Sequence, residues 1–177
     1  MALSKIQSES MNLADTFAFT GTVSGTSPLP EVDQWYLTSN HTGNSTITNW
    51  ARVTATGWTK IGTGMSHSSG VFTFPKTGVY KVGLHPQFRD DGSDNMAADL
   101  EVTTDNSSYT VVAQALAGDD AGRNSGTSIS YFLNVTDTSN VKVRFGADSM
   151  DSNSYLHPIA SGKIRTNVMF ERIADAQ

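Results

Sequence analysis

Apolar and polar residues alternate along most of this chain. In DTFAFTGTVSG, residues 15–25, Phe17, Phe19 and Val23 share one parity, and Ala18, Thr20 and Thr22 share the other. A period of two with one apolar side predicts a half-buried strand. Gly21 interrupts it, as a bulge or a close approach would. The pattern recurs downstream. Phe72 and Phe74 oppose Val71 and Thr73, and Tyr80, Val82 and Leu84 share a face. Leu100 and Val102 point inward in AADLEVTT. Ile129, Tyr131, Leu133 and Val135 are in step in SISYFLNV. Val141, Val143 and Phe145 oppose Lys142 and Arg144, and Ile164, Val168 and Phe170 mark a last strand. YTVVAQALA reads as a further strand and WYLTS as a short one.

Turn chemistry separates these runs. RDDGSDN, TDNSS, AGDDAGRNSG, TDTSN and SMDSNS are clusters of residues that favour turns. Residues 24–34 read as a loop, because Pro28 and Pro30 deny ladder hydrogen bonds. SNHTGNSTITN reads as a polar excursion. Between VFTF and VYKV stands PKTG, in which Pro75 stops one strand and Gly78 permits a sharp reversal. A tight hairpin is expected there. No window carries a helical stripe. Many short strands with turns between them predict an antiparallel sandwich or barrel. The lack of a fixed-period repeat argues against a propeller or β-helix.

Composition narrows the surface chemistry. The chain has 177 residues, enough for one domain with an adequate core. Only 16% are charged, whereas Ser and Thr supply 21 residues each, so hydroxyl groups rather than Lys and Glu make the surface. The net charge is −5 and no basic block occurs, which argues against nucleic acid or an anionic membrane as partner. The absence of cysteine excludes disulfides, thiol nucleophiles and Cys-ligated zinc. MALSKIQSESMNLADTFAF has no apolar run long enough for a secretory signal. Synthesis in a cytoplasm is expected. Residues 1–15 form a polar lead-in whose Leu3, Ile6, Met11 and Leu13 are candidates for a docking arm. Residues 16–177 are assigned to the sandwich.

Catalytic signatures are absent. His41, His67, His85 and His157 have no metal-binding spacing, and no Ser sits on a strand-to-helix elbow. No cofactor is expected. Calcium is the one ion considered, because the acidic loops offer Asp90, Asp91, Asp94 and Asn95, then Asp119, Asp120 and Asn124, then Asp148, Asp151 and Asn153. None has EF-hand spacing, and polar turns are the simpler reading. Paired acids could also suggest glycoside hydrolysis, which needs a separation that sequence does not supply. Trp35, Tyr36 and Trp50 lie among polar loops and are candidate ligand contacts. The competing reading makes them plugs of the sandwich ends or of a subunit seam.

Two resemblances add expectations. SGVFTFPKTGVYKVGLHPQF resembles the central hairpin of the C1q/TNF-like jelly roll, whose pattern is matched by Gly70, Phe72, Pro75, Gly78, Tyr80 and Val82. The order of SISYFLNV, VKVRF and TNVMFERI also fits, so the resemblance covers about residues 50–173. It implies an all-β antiparallel jelly roll and a homotrimer. Val71, Val79 and His85, off the core parity, are the candidate trimer interface. More narrowly, MALSKI, DTFAFTGTVSG, GTGMSHSSGVFTFPKTGVY and MFERI are similar to virion proteins of bacteriophages of aquatic bacteria. That implies a non-enzymatic structural protein displayed on the particle, as capsid decoration or head fibre. Its partners would be itself, other capsid or tail proteins and, for a tail-fibre tip, a host surface glycan. A cellular C1q-like interaction module is the alternative from another class.

Overall fold

A computed structural model describes residues 30–54, 58–89, 95–118, 122–151 and 153–177. The expected arm at 1–15 and the strand expected within 15–25 lie outside the described residues. Among those described there is no helix, and every strand pairing is antiparallel.

Two five-stranded sheets make the sandwich. The strands, in chain order, are β1 (Val32–Leu37), β2 (Trp50–Arg52), β3 (Ser66–Ser68), β4 (Val71–Thr73), β5 (Gly78–His85), β6 (Gln87–Arg89), β7 (Met96–Thr103), β8 (Thr110–Ala117), β9 (Asn124–Gly126), β10 (Ile129–Val135), β11 (Lys142–Asp148), β12 (Tyr155–Leu156) and β13 (Asn167–Ala174). The first sheet runs β10-β5-β13-β1-β2 and the second β3-β4-β11-β7-β8. A small third sheet, β12-β6-β9, was not legible as strands, because its short segments carry too few residues to show a period.

The core forms where the expected faces meet. Phe72, Tyr80, Val82, Leu84, Leu100, Val143, Phe145 and Val168 are all fully buried. Phe72 lies with its ring centroid 5.0 Å from Phe170 of the first sheet and 5.7 Å from Phe145 of the second. Edge-on and tilted aromatic contacts of this kind add to the area they bury.

The PKTG stretch corrects the sequence reading. It closes no hairpin. β4 pairs with β3 and β11 in the second sheet, whereas β5 pairs with β10 and β13 in the first. Residues 74–77 therefore carry the chain across the sandwich. Parity survives because both strands point their aromatic faces into the same core, with the Phe74 and Tyr80 rings 4.6 Å apart. The Tyr80 hydroxyl donates to the Lys76 carbonyl at 3.0 Å and so staples the crossing. Gly78 starts β5 at φ 153°, and a Cβ there would meet the Ala174 carbonyl oxygen at 2.8 Å. Gly70 sits at φ 88°, and its Cβ would meet the Ile47 carbonyl oxygen at 2.9 Å. Both signature glycines thus answer to close backbone approach.

Two further boundaries shift. β1 begins at Val32, inside the segment assigned to a loop, because Pro30 ends just before it. The polar excursion at 39–49 buries Ile47 completely. Ile47 N donates to the Phe145 carbonyl at 2.8 Å and Ala147 N to that of Ser45 at 3.0 Å, so the excursion lies along β11.

Tyr80→Ala is expected to lower unfolding free energy by about 3–5 kcal/mol, as for other buried large-to-small changes. Urea denaturation checks this. A loss below about 0.5 kcal/mol, as at surface positions, would contradict a buried crossing staple.

Candidate functional site

Register lays out the outer face of the first sheet. Ser130, Gly83, Met169 and Gln34 form one row across β10, β5, β13 and β1. Phe132, Lys81, Glu171 and Val32 form the next. These positions alternate with the core residues Tyr80, Val82, Leu84, Val168 and Phe170, so the pleat turns them outward. Large apolar groups stand among them. Phe132 is 60% exposed and Met169 38%. The Ser130–Gly83 row has little side chain to fill it. A cavity of about 320 Å³ opens there, lined by Gly83, Lys81, His85, Ser130, Met169 and Glu171. Burial, and then the neighbouring Lys81 ammonium, pushes the His85 imidazole below its ordinary value of 6.5.

This face has apolar surface, the Lys81 ammonium, the Glu171 carboxylate, the His85 imidazole and the hydroxyls of Ser130 and Tyr36. Among the described residues no three His, Cys, Asp or Glu side chains group to hold a metal ion.

A second cluster closes one end of the sandwich. Glu31 and Asp33 are buried, with Asp33 on the inward parity of β1 beside Trp35 and Leu37. Asp33 Oδ2 accepts from Trp35 Nε1 at 2.9 Å and Met65 N at 2.8 Å. Asp33 Oδ1 accepts from Gln34 N at 3.0 Å, and the Arg52 guanidinium bonds both oxygens. Arg52 also donates to the Met65 carbonyl and lies 4.5 Å from the Trp35 ring centroid. Glu31 accepts from Gly64 N at 3.0 Å and pairs with Lys76 Nζ at 2.7 Å. Burial alone would raise the Glu31 carboxyl, but the Lys76 and backbone hydrogen bonds outweigh it and hold the group below 4.5. These acids are tied to fixed donors, which is a structural arrangement.

The candidate residues fall in different places. Gly70, Phe72, Tyr80 and Val82 are core, Gly78 opens β5, and Pro75 stands in the sheet crossing. Val79 and His85 face outward on the first sheet. Val71 does not join them, because the crossing leaves it on the second sheet opposite Ser68 and Arg144. Trp35 and Trp50, at 8% and 7% exposure, are core residues and offer no ring to a ligand in this chain. Each instead contacts Phe72 edge-on, at 5.4 and 6.3 Å. Tyr36 is half-buried on the outer face. Leu3, Ile6, Met11 and Leu13 lie outside the described residues, as do Asp90, Asp91, Asp94, Asp119 and Asp120. Of the remaining acids, Asp151 caps its own turn through Asn153 N at 3.0 Å and Ser154 N at 2.7 Å. Phe132, Met169 and Ile173 went unnoticed in the sequence. Their signal was available: each is a large apolar residue on the solvent parity of an alternating strand.

Among solved structures the chain is similar to Eiger TNF from S. frugiperda, with a TM-score of 0.66 and 12% identity over 85% of this chain and 96% of that one. It is also similar to murine APRIL at pH 5.0, with a TM-score of 0.63 and 11% identity over 81% of this chain and 98% of that one. No family model matches the sequence. No curated protein matches it either. At this level of identity the likeness concerns the fold, which is the TNF-like jelly roll.

Asp33→Ala is expected to destabilise the fold by about 3 kcal/mol, since it strands the partly buried Arg52 guanidinium and two buried N–H donors. Chemical denaturation of variant and parent measures it. Glu31 adds an acid signature. A carboxyl whose folded value lies below 4.5 contributes stability above that pH, and the contribution is lost as pH falls through the folded value. Thermal melts from pH 6 downward are expected to fall more steeply for the parent than for Glu31→Gln. Parallel curves would count against the pairing with Lys76.

Proposed function

We propose that this chain is a non-enzymatic interaction module that works as a homotrimer, with the outer face of the first sheet as its subunit interface. The observation that carries this reading is the exposure of Phe132 and Met169 on adjacent rows of one sheet face. Exposed apolar groups gathered on one face mark contact surfaces. Lys81 and Glu171 on the same face give copies of one chain opposite charges to match. The TNF-like fold is compatible with such a trimer.

The place of action is a phage particle, as surface decoration of the capsid or a short head fibre. The support is the sequence likeness of MALSKI, DTFAFTGTVSG, GTGMSHSSGVFTFPKTGVY and MFERI to virion proteins. The Ser- and Thr-rich composition suits a displayed surface, because a surface with few ion pairs loses little to salt screening. Burial of Trp35 and Trp50 removes the main support for a glycan-binding tip.

Light scattering is expected to give about 57 kDa, three times the 19.0 kDa chain mass. A monomer at high concentration would contradict the trimer. Gold-labelled antibody on intact particles from the source tests placement. Label over heads is the expected result; label at tails would replace decoration with adsorption, and unlabelled particles would end the virion reading.

A further inference from the structure

The polar excursion at 39–49 is a strap held at both ends and along its middle. At its start His41 and Leu156 of β12 exchange backbone hydrogen bonds, with His41 N donating at 3.3 Å and Leu156 N at 2.9 Å. Along its middle Asn44 Oδ1 accepts from Met150 N at 2.7 Å, and the Ile47 N and Ala147 N bonds tie the strap to β11. Toward its end the β3–β4 turn closes on it. A Cβ on Gly70 would meet Thr46 Cγ2 at 2.8 Å and Thr48 Cγ2 at 3.3 Å, so turn and strap are in contact. Ile47 is fully buried, and its carbonyl accepts the Trp50 indole N–H at 3.0 Å.

A half-buried histidine stands at each end. His67 Nε2 accepts from Gly70 N at 3.1 Å, and its ring lies 4.7 Å from that of Phe72 and 5.5 Å from that of Trp35. A protonated imidazole has no lone pair, so it would lose this bond and turn one N–H toward another. His41 Nε2 is buried without a hydrogen-bond partner, so a charge on that ring would lack solvation.

We propose that the strap is an acid-released latch, which protonation of His41 and His67 frees from β12 and from the β3–β4 turn. Burial holds both imidazoles below their ordinary value of 6.5, and at His41 it outweighs the opposing pull of the Gly43 and Ser45 backbones. Among the described residues no charged group contributes at either ring. Beside Trp35, Asp33 and Arg52 pair with each other, and β4 brings Val71 and Phe72. On the His41 side, Tyr155 and His157 flank Leu156 on the opposite parity, and Asp148 and Asp151 accept from the backbone of their own turn. A histidine held low in the closed strap takes up its proton more readily once the strap opens. The closed form is therefore fully favoured above pH 6.5 and loses ground as pH falls below it. Release uncovers Ile47 and Trp50. The device lies within one chain and stands apart from the trimer reading.

Native-state hydrogen exchange tests it, as protection factors at pH about 7.5 and about 5.5. The Ile47, Ala147 and Leu156 amides and the Trp50 indole are expected to lose protection by about tenfold or more at the lower pH, the effect of one unit of pKa difference. They are also expected to stay less protected than the amides of β5 and β13. Unchanged strap protection overturns the latch. Protection equal to that of β5 and β13 also overturns it, because the strap would then open only with the whole fold. In a His41→Gln, His67→Gln double variant, glutamine can still accept from Gly70 N, and the strap is expected to keep its protection at both pH values. A double variant that retains the loss overturns the assignment in favour of His85 and His157, which it still contains. Should that variant fail to fold, imidazole titration of the parent by NMR decides, with midpoints below 6.5 expected for His41 and His67. A midpoint at or above that value for either ring overturns the latch.

Discussion

Phe72 holds the two sheets together. Its ring touches Trp35 and Phe170 of the first sheet, Trp50 at that sheet's edge, and Phe145 and His67 of the second, all with centroids within 6.3 Å. Close-packed interiors transmit any misplacement of such a group. The crossing at residues 74–77 starts two residues after it, and its staple, Tyr80, packs on Phe74. The chain therefore changes sheets next to the place where the sheets are most tightly joined. The outer face of β5 depends on this. With Tyr80, Val82 and Leu84 committed to the core, Val79, Lys81, Gly83 and His85 must face outward.

The faces of the strands were legible in the sequence because parity is a local property. Phe72, Tyr80, Leu100, Val143 and Phe170 point where alternation says they should. Pairing is not local, and there the reading failed. A tight PKTG between two alternating runs fits a hairpin and a sheet crossing equally well, since both keep the apolar sides together. What separates them is which distant strand supplies hydrogen bonds, β11 and β3 for one side and β10 and β13 for the other. The same limit split Val71 from Val79. β6, β9 and β12 were invisible for a different reason, as segments of two or three residues show no period.

The site was legible only in part. Trp35 and Trp50 stand among polar residues in the chain, which left ligand contact and burial both open; Asp33 and the Ile47 carbonyl accept their indole N–H groups and let both rings enter the core. Asp33 itself misleads, because a carboxylate on a core parity reads as a strand boundary unless its partner is known. That partner, Arg52, comes from β2. By contrast, Phe132 and Met169 were readable as outward apolar residues, and the alternation that defined the core defined them too.

The clamp on Glu31 and Asp33 has a mechanical consequence. β1 is not an edge strand. It lies between β13 and β2 and hydrogen-bonds on both sides. Tension applied to the chain ahead of Glu31 would meet the Lys76 and Arg52 ion pairs first. It would then load the ladders of β1 in shear, many bonds at once, rather than peel them singly. Loaded from that end, β1 shares the force among its hydrogen bonds to β13 and β2.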